Sequence, residues 1–233
     1  MTSDLPQQLA AARERVVAAA RTVGRDPSEV QLLLAVKAQP VEAVREAVTL
    51  GARLLGHNRA QELMAHAPGL VDVDHEMHFI GHLQSNKATK VVPLVSCVQS
   101  VDRFSMAERL DRLAREAGRV LEVFVQVNTS EENSKAGVAP AQAVELAAGV
   151  GALAHLRLRG LMTIGANSRD IEVVRESYEQ LARLRDEVVA SGFSGTGEAR
   201  ELSMGMSRDL EIAVAAGATM VRLGTAVFGA RKV

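Results

Sequence analysis

The sequence predicts an α/β fold, namely a closed (β/α)8 barrel (a TIM barrel) with an extra helix at its N-terminus. Short apolar runs rich in β-branched residues alternate with helical stretches from near the start of the chain to its end, which is the pattern of parallel βα units. The length of 233 residues is close to the roughly 250 residues typical of such a barrel. We therefore expect one barrel domain over residues 1–233.

Eight runs have the length and composition of strands. They are residues 30–37, 52–56, 77–81, 95–100, 121–128, 157–163, 201–204 and 220–224. A helix over roughly residues 4–23 precedes the first strand. Eight parallel strands with crossover helices are the number that closes this barrel.

The stretches between the strands carry apolar residues at three- and four-residue intervals, as amphipathic helices do. Two examples are the stripe Ile171, Val174, Tyr178, Leu181, Leu184 and Val188 and the stripe Phe104, Ala107, Leu110 and Leu113. Ser168 and Ser207 are expected to be N-caps, and Gly217 is expected to end the helix that follows Ser207.

An open, doubly wound sheet is the alternative architecture. Such a sheet usually has a glycine-rich turn after its first strand. Here residues 37–40 read Lys-Ala-Gln-Pro, so the barrel is favoured.

Composition excludes several classes of function. The formal net charge is -1, aromatic residues make up 3% and Trp is absent, so neither a basic nucleic-acid surface nor a base-stacking platform is expected. The N-terminus is charged and amphipathic, unlike a signal peptide, and no run reaches the roughly 18 apolar residues of a membrane span. We expect a cytoplasmic monomer, in which the single Cys97 is a buried thiol without a chemical role.

The carboxyl ends of the barrel strands should carry the functional residues. The residues there are mostly polar or small: Lys37, Gly56, His57, Asn58, Gly81, His82, Ser100, Asp102, Asn128, Met162, Thr163, Ser203, Met204, Gly224 and Thr225. Lys37 follows five consecutive apolar residues, and an amine held away from water can attack an aldehyde to form a Schiff base. A lysine that leaves the strand for solvent or pairs with a carboxylate remains open as the alternative.

The segments 202–207 and 221–229 indicate a phosphate site. Barrels often bind phosphate through the loops after strands 7 and 8, and Ser203, Gly224 and Thr225 suit that role. A lysine together with a phosphate cradle outlines a site for pyridoxal 5'-phosphate (PLP). Arg222 would then donate a hydrogen bond to the pyridine nitrogen, with a salt bridge at the barrel rim as the alternative.

These residues also carry a resemblance to a known family. The chain resembles the pyridoxal phosphate homeostasis proteins over nearly its whole length, through LLLAVKAQP around Lys37, GHNRAQEL, HFIGHLQSNK, QSVDR, VFVQVNTSEENSKAGV, LRGLMTIG and LSMGMSRDLEIAVAAGATMVRLGTAVFGAR. The resemblance implies a barrel of the alanine racemase N-terminal type with PLP on Lys37. It also implies phosphate contacts from Ser203, Gly224 and Thr225, with Met204 beside them, an Arg222 that faces the ring nitrogen, and Asn58 near the cofactor. Two departures are Val36, where many members have Ser, and His57, where Glu is more usual.

The resemblance also bears on catalysis. A racemase of this fold needs, as the resemblance implies, an opposing Tyr from an additional β domain. The chain ends soon after strand eight, and its only tyrosine, Tyr178, lies on an apolar stripe. We therefore expect a protein that buffers or delivers PLP, with apo PLP-dependent enzymes as candidate partners. A low-activity amino-acid racemase is the alternative.

Other candidate groups receive structural interpretations. His75, His78 and His82 alternate in direction along a strand, so a metal site is not expected. Lys135 is expected at the surface, with a second phosphate contact as the alternative, and Asp102 and Asn128 are expected to support the barrel rim.

Overall fold

The structure is a computed structural model, and it describes residues 4–130, 132 and 136–229. The predicted barrel is confirmed, because eight parallel strands pair in sequence order and β8 pairs with β1 to close the sheet. The strands are β1 (Gln31–Ala35), β2 (Leu54–His57), β3 (Glu76–Phe79), β4 (Cys97–Val101), β5 (Leu121–Gln126), β6 (Leu156–Met162), β7 (Glu201–Ser203) and β8 (Met220–Leu223).

Helices alternate with these strands around the outside of the barrel. They are α1 (Leu5–Thr22), α2 (Val41–Thr49), α3 (Ala60–His66), α4 (Ser85–Val91), α5 (Phe104–Glu116), α6 (Ala143–Gly151), α7 (Ile171–Ala190), α8 (Leu210–Ala215) and α9 (Thr225–Phe228). The predicted N-terminal helix is α1, which packs against α8 and α9. Within the described part of the chain, every helix is too short or too polar to cross a bilayer.

The apolar core has two layers that follow from the alternation of side chains along each strand. The larger layer joins the outward strand residues, such as Leu34 and Leu55, to the helices. The smaller layer fills the barrel and consists of Leu33, Ile80, Cys97, Phe124, Met162 and Met220. Burial raises the pKa of the Cys97 thiol, in keeping with a thiol that has a packing role.

Two of the predicted helix starts are wrong. The carboxylate of Asp170, not the hydroxyl of Ser168, accepts the capping hydrogen bond of α7, from the Glu172 backbone N–H at 2.9 Å. Ser168 instead accepts from the Asp170 N–H, one turn earlier. The helix expected directly after Ser207 begins at Leu210, because Asp209 closes the preceding loop by accepting from the Met206 N–H at 2.6 Å.

A pair of buried histidines ties the loop after β1 to α3. The Gln39 carbonyl accepts from His66 Nε2 at 3.0 Å. A neutral imidazole carries a proton on only one ring nitrogen, so when Nε2 of His66 is the donor, its Nδ1 is the acceptor. The Nε2–H of His57 donates to this Nδ1 atom at 3.1 Å. The backbone N–H of Ala38, whose φ is 58°, donates to Glu62 of the same helix at 3.4 Å. Helix α3 thus holds the loop that begins with Lys37.

Burial, reinforced by the neighbouring His66 and His75, lowers the pKa of His57 to about 3. A histidine in an unfolded chain has a pKa near 6.5. Below that pH the unfolded chain binds a proton at His57, whereas the folded chain keeps the imidazole neutral. The neutral His57 therefore contributes its full share of stability above pH 6.5, and that share is lost as the pH falls toward about 3.

We expect the unfolding free energy of the wild-type protein to fall by about 2 kcal/mol more than that of His57→Gln between pH 7 and pH 5. The measurement is urea denaturation at a series of pH values, with His82→Gln as the control because His82 is exposed. Parallel curves for the wild type and His57→Gln would contradict the assignment of a buried neutral imidazole.

Candidate functional site

The alternation of β1 directs Lys37 toward the barrel interior. Leu33 belongs to the inner core layer, and Ala35 packs against that layer. Lys37 is two residues farther along and therefore lies on the same face, at the carboxyl end of the barrel. Its side chain is partly exposed and lines a cavity of about 600 Å³ there.

The cavity collects residues from the loops after β1, β2, β3, β6, β7 and β8. It is lined by Ala35, Lys37, Gln39, Asn58, Ile80, Met162, Ile164, Gly165, Ala166, Asn167, Met206, Ser207, Arg208, Asp209, Arg222, Gly224, Thr225 and Gly229. Five of the seven predicted site residues are among them: Lys37, Asn58, Arg222, Gly224 and Thr225. The structure therefore brings most of the predicted set to one place.

The side chains of Ser203 and Met204 do not line this cavity. Met204 is fully buried in the outer core layer, so it points away from the barrel interior. Ser203 points inward but is also fully buried, because it lies one layer below the cavity. Its hydroxyl donates to Gln99 Oε1 at 2.7 Å and accepts from Arg222 Nη1 at 2.9 Å.

Ser207 takes the position at the cavity that the sequence suggested for Ser203. The two serines flank the turn at Gly205, whose φ of +89° is a conformation that side chains rarely adopt. This turn carries the chain from the interior of β7 to the cavity wall. The Ser207 and Thr225 hydroxyl oxygens are 3.5 Å apart, so two hydroxyls from two loops converge.

Gly224 leaves space in the same wall. The register of β1 and β8 pairs Leu34 with Leu223, which sets Gly224 level with Ala35. A Cβ at Gly224 would lie 3.0 Å from the Ala35 carbonyl oxygen, so a side chain would crowd the strand edge. Gly224 itself lines the cavity, directly before Thr225.

Arg222 lies at the bottom of the cavity, and the residue is 6% exposed. Its Nη1 donates to Ser203, and its Nη2 donates to the Thr163 carbonyl oxygen at 2.7 Å. Burial lowers the pKa of Arg222, and the nearby Tyr178 and Asp209 oppose that shift. Both hydrogen-bond acceptors are neutral, so the predicted alternative of a salt bridge at the barrel rim does not describe this residue.

Asn58 is held against the next strand. A Cβ at Gly81 would overlap the Asn58 carbonyl group, so only glycine lets the end of β3 pass this close. His57, by contrast, points outward to α3 and does not line the cavity. Lys135 lies outside the described residues.

The remaining polar candidates have structural contacts. Asp102 contacts Arg103 at 2.6 Å and His82 at 3.5 Å, and Asn128 accepts from the Ser130 hydroxyl and donates to the Glu132 carbonyl. His75 contacts the Val73 carbonyl, whereas His78 contacts Gln99. In the ranges that the structure describes, no three His, Cys, Asp or Glu side chains are grouped as metal ligands would be.

Sequence reasoning missed the segment after β6 and the residues Arg208 and Asp209, whereas Met206 and Ser207 lay inside the predicted phosphate segment 202–207 but were not named as contacts. Gly165, Ala166 and Asn167 line the cavity but carry no distinctive chemistry in the sequence. The motif Ser-Met-Gly-Met-Ser did indicate a turn between the two serines. A glycine at its centre favours a turn, so the first serine lies in the strand and the second lies in the loop after it.

Comparisons with known proteins agree with the resemblance found in the sequence. The chain matches the family model described as alanine racemase, N-terminal domain, over residues 8–232. It is 41% identical over 236 residues to the pyridoxal phosphate homeostasis protein of Escherichia coli strain K12, an alignment that covers 98% of this chain and 97% of that protein.

Two solved structures are similar over nearly the whole chain. An unknown protein from Bifidobacterium adolescentis has a TM-score of 0.92 and 40% identity, with 97% of this chain and 94% of that chain covered. PipY of Synechococcus elongatus is 36% identical, with a TM-score of 0.86 without PLP and 97% and 100% of the two chains covered. With PLP bound, its TM-score is 0.79 and the coverage is 93% and 100%. This chain belongs to the alanine racemase N-terminal domain family and, within it, to the pyridoxal phosphate homeostasis proteins.

Proposed function

We propose that this chain binds PLP, held as a Schiff base on Lys37, and buffers or delivers that cofactor inside the cell. One observation carries the proposal: a lysine amine, a buried guanidinium and two converging hydroxyls line a single cavity of about 600 Å³. PLP offers an aldehyde, a pyridine nitrogen and a phosphate, which are the three groups that such residues recognise. The PLP-bound structure of PipY, 36% identical to this chain, supports the same ligand.

The phosphate end of the site is assigned to Ser207, Gly224 and Thr225. The hydroxyls of Ser207 and Thr225 can each donate a hydrogen bond to an anion, and Gly224 leaves room for it beside β1. Arg208 adds a positive charge to the same wall. We transfer the predicted serine contact from Ser203 to Ser207, because the Ser203 hydroxyl is buried and already hydrogen-bonded.

The ring end of the site is assigned to Arg222 and Asn58. An Arg that donates to the pyridine nitrogen keeps that nitrogen unprotonated, since guanidinium does not release its proton at neutral pH. Bound PLP supplies an aldehyde that condenses with the Lys37 amine and releases water. Lys37 holds the cofactor by this bond, while Arg222 and the two hydroxyls orient it.

Tyr178 favours a carrier over a racemase. Its side chain is fully buried behind Gly165 on the cavity wall, and a Cβ at Gly165 would lie 2.8 Å from the hydroxyl oxygen. Burial and the neighbouring Asp209 carboxylate raise the pKa of this phenol, although Arg222 partly opposes them. The phenol is therefore held protonated and buried, which disfavours it as a proton acceptor for a substrate in the cavity. Transfer of PLP to apo-enzymes in the cytoplasm, by a monomer, completes the proposal.

Reduction of the PLP-loaded protein with borohydride should fix one pyridoxyl group on Lys37 and none on the protein with Lys37→Ala. The expected mass increase and the modified peptide are measured by mass spectrometry. Lys90→Ala is the matched control, because Lys90 is an exposed lysine on α4. A Lys37→Ala protein that acquires the same pyridoxyl mass increase on another residue would refute the assignment.

Replacing both hydroxyls, in the double variant Ser207→Ala and Thr225→Val, should weaken retention of PLP by at least about tenfold. Each hydrogen bond to a charged phosphate contributes about 1.5–3 kcal/mol. Equilibrium dialysis of the loaded proteins measures the change, and Thr22→Val, at the exposed end of α1, is the control. Retention equal to that of the wild type would place the phosphate elsewhere.

The PLP-loaded protein should leave the optical purity of L-alanine unchanged over hours, because the cavity lacks an accessible tyrosine. Chiral chromatography of L-alanine and of other L-amino acids makes the measurement, with free PLP as the background. Turnover at ordinary enzymatic rates of about 1–1000 per second would favour the racemase alternative.

A further inference from the structure

A buried line of polar side chains crosses the barrel interior below the cavity. It consists of Arg222 on β8, Ser203 on β7, Gln99 on β4 and His78 on β3, which we call the interior chain. The four residues are 6%, 0%, 0% and 4% exposed. Buried polar groups of this kind are costly unless each finds a partner, so their contacts are constrained.

Each link of the interior chain is a hydrogen bond of normal length. Arg222 Nη1 donates to Ser203 Oγ at 2.9 Å, and the Ser203 hydroxyl donates to Gln99 Oε1 at 2.7 Å. The Gln99 amide Nε2 lies 2.8 Å from His78 Nδ1 and 3.1 Å from the Met220 sulfur. The other ring nitrogen of His78 faces Glu76 at 3.8 Å, near the opposite mouth of the barrel.

The direction of every donor follows from the guanidinium. Arg222 can only donate, so Ser203 accepts from it, and the hydroxyl proton of Ser203 is free to be donated to Gln99 Oε1. The Gln99 atom that faces Ser203 is therefore the carbonyl oxygen, and the amide nitrogen faces His78. Since Nδ1 of His78 accepts this hydrogen bond, its proton is on Nε2, on the side of Glu76.

We propose that Gln99 is a positioning residue for Arg222 and thereby tunes the electronic state of the bound cofactor. Gln99 does not line the cavity, so it acts only by fixing Ser203, which fixes one arm of the guanidinium. The Thr163 carbonyl fixes the other arm. This inference rests on the proposed function, in which the remaining donors of Arg222 face the pyridine nitrogen.

The two groups that accept hydrogen bonds from Arg222, the Ser203 hydroxyl and the Thr163 carbonyl, are neutral, and this determines how Arg222 affects the bound cofactor. A carboxylate in contact with Arg222 would compensate its charge, whereas a hydroxyl and a carbonyl leave that charge available to the ring. Among the described residues, the other charged or titratable groups around Arg222 and its cavity are Tyr178 on α7, Arg208 and Asp209 before α8, and Lys37 across the cavity. A positive charge held near the ring disfavours protonation of the Schiff-base nitrogen.

The test compares the PLP-loaded wild type with Gln99→Met and Gln99→Glu. Methionine keeps the volume of glutamine but removes both hydrogen bonds, and glutamate adds a charge that compensates Arg222. Gln126→Met is the matched control, because Gln126 is a buried inward glutamine whose amide contacts the Ala136 carbonyl and not the interior chain. The first readout is the pH midpoint at which the absorbance band of the Schiff base between PLP and Lys37 changes. The second readout is the rate at which PLP is released from the protein and captured by a trapping protein.

We expect the titration midpoint to rise by about one pH unit in Gln99→Glu. The rise should be smaller in Gln99→Met, and that protein should release PLP about tenfold faster than the wild type because a charge-assisted contact is loosened. Gln126→Met should match the wild type in both readouts. Circular dichroism checks that each variant folds. If Gln99→Met does not fold, the titration midpoints of Gln99→Glu and Ser203→Ala test the proposal instead.

The outcomes separate this inference from the function on which it rests. Borohydride fixation on Lys37 measures loading independently of the titration. Full loading of Lys37 with unchanged midpoints and release rates in the folded Gln99 variants would overturn the positioning role and leave the PLP site intact. A wild-type protein that fails to load at Lys37 would overturn both.

Discussion

The burial of the Arg222 guanidinium is the constraint on which the rest of the barrel interior depends. Taking a charge out of water costs several kcal/mol unless hydrogen bonds replace the water. The apolar layer of the barrel cannot provide them, so the Thr163 carbonyl and the Ser203 hydroxyl do. Ser203 then needs Gln99, and Gln99 needs His78. One inward arginine thus accounts for this run of polar residues in the barrel interior.

A second hydrogen-bonded system, outside the barrel, fixes the lysine. The contacts of Gln39 with His66 and of Ala38 with Glu62 both end on α3. The two systems share no residue, yet they act on adjacent strands, because β1 and β8 are neighbours in the closed sheet. Closure of the barrel is therefore what brings Lys37 and Arg222 to the same cavity, although 185 positions separate 37 from 222 in the sequence.

Most of the fold and part of the site could be predicted, for different physical reasons. The strands and the inward direction of Lys37 follow from a period of two residues, which a sequence displays directly. The choice between Ser203 and Ser207 depends on the turn at Gly205, and the outward direction of His57 depends on where β2 ends. The cap at Asp170 depends on an extended backbone conformation (φ -78°, ψ 115°) there, with the carboxylate accepting from the Glu172 N–H. Local geometry of this kind depends on how the surrounding residues pack. It therefore cannot be predicted from the pattern of a single sequence.

Tyr178 is a buried part of the cavity wall and is not exposed in the cavity itself. Its ring fills the space behind Gly165, whose φ of +76° bends the loop after β6 around it. Moving the hydroxyl into the cavity would open a void in the core where the ring now packs, at a cost of about 3–5 kcal/mol for an aromatic side chain. The tyrosine therefore supports the wall of the site. Lys37 is the one lysine among the described residues of the cavity wall, in keeping with the proposed retention of PLP.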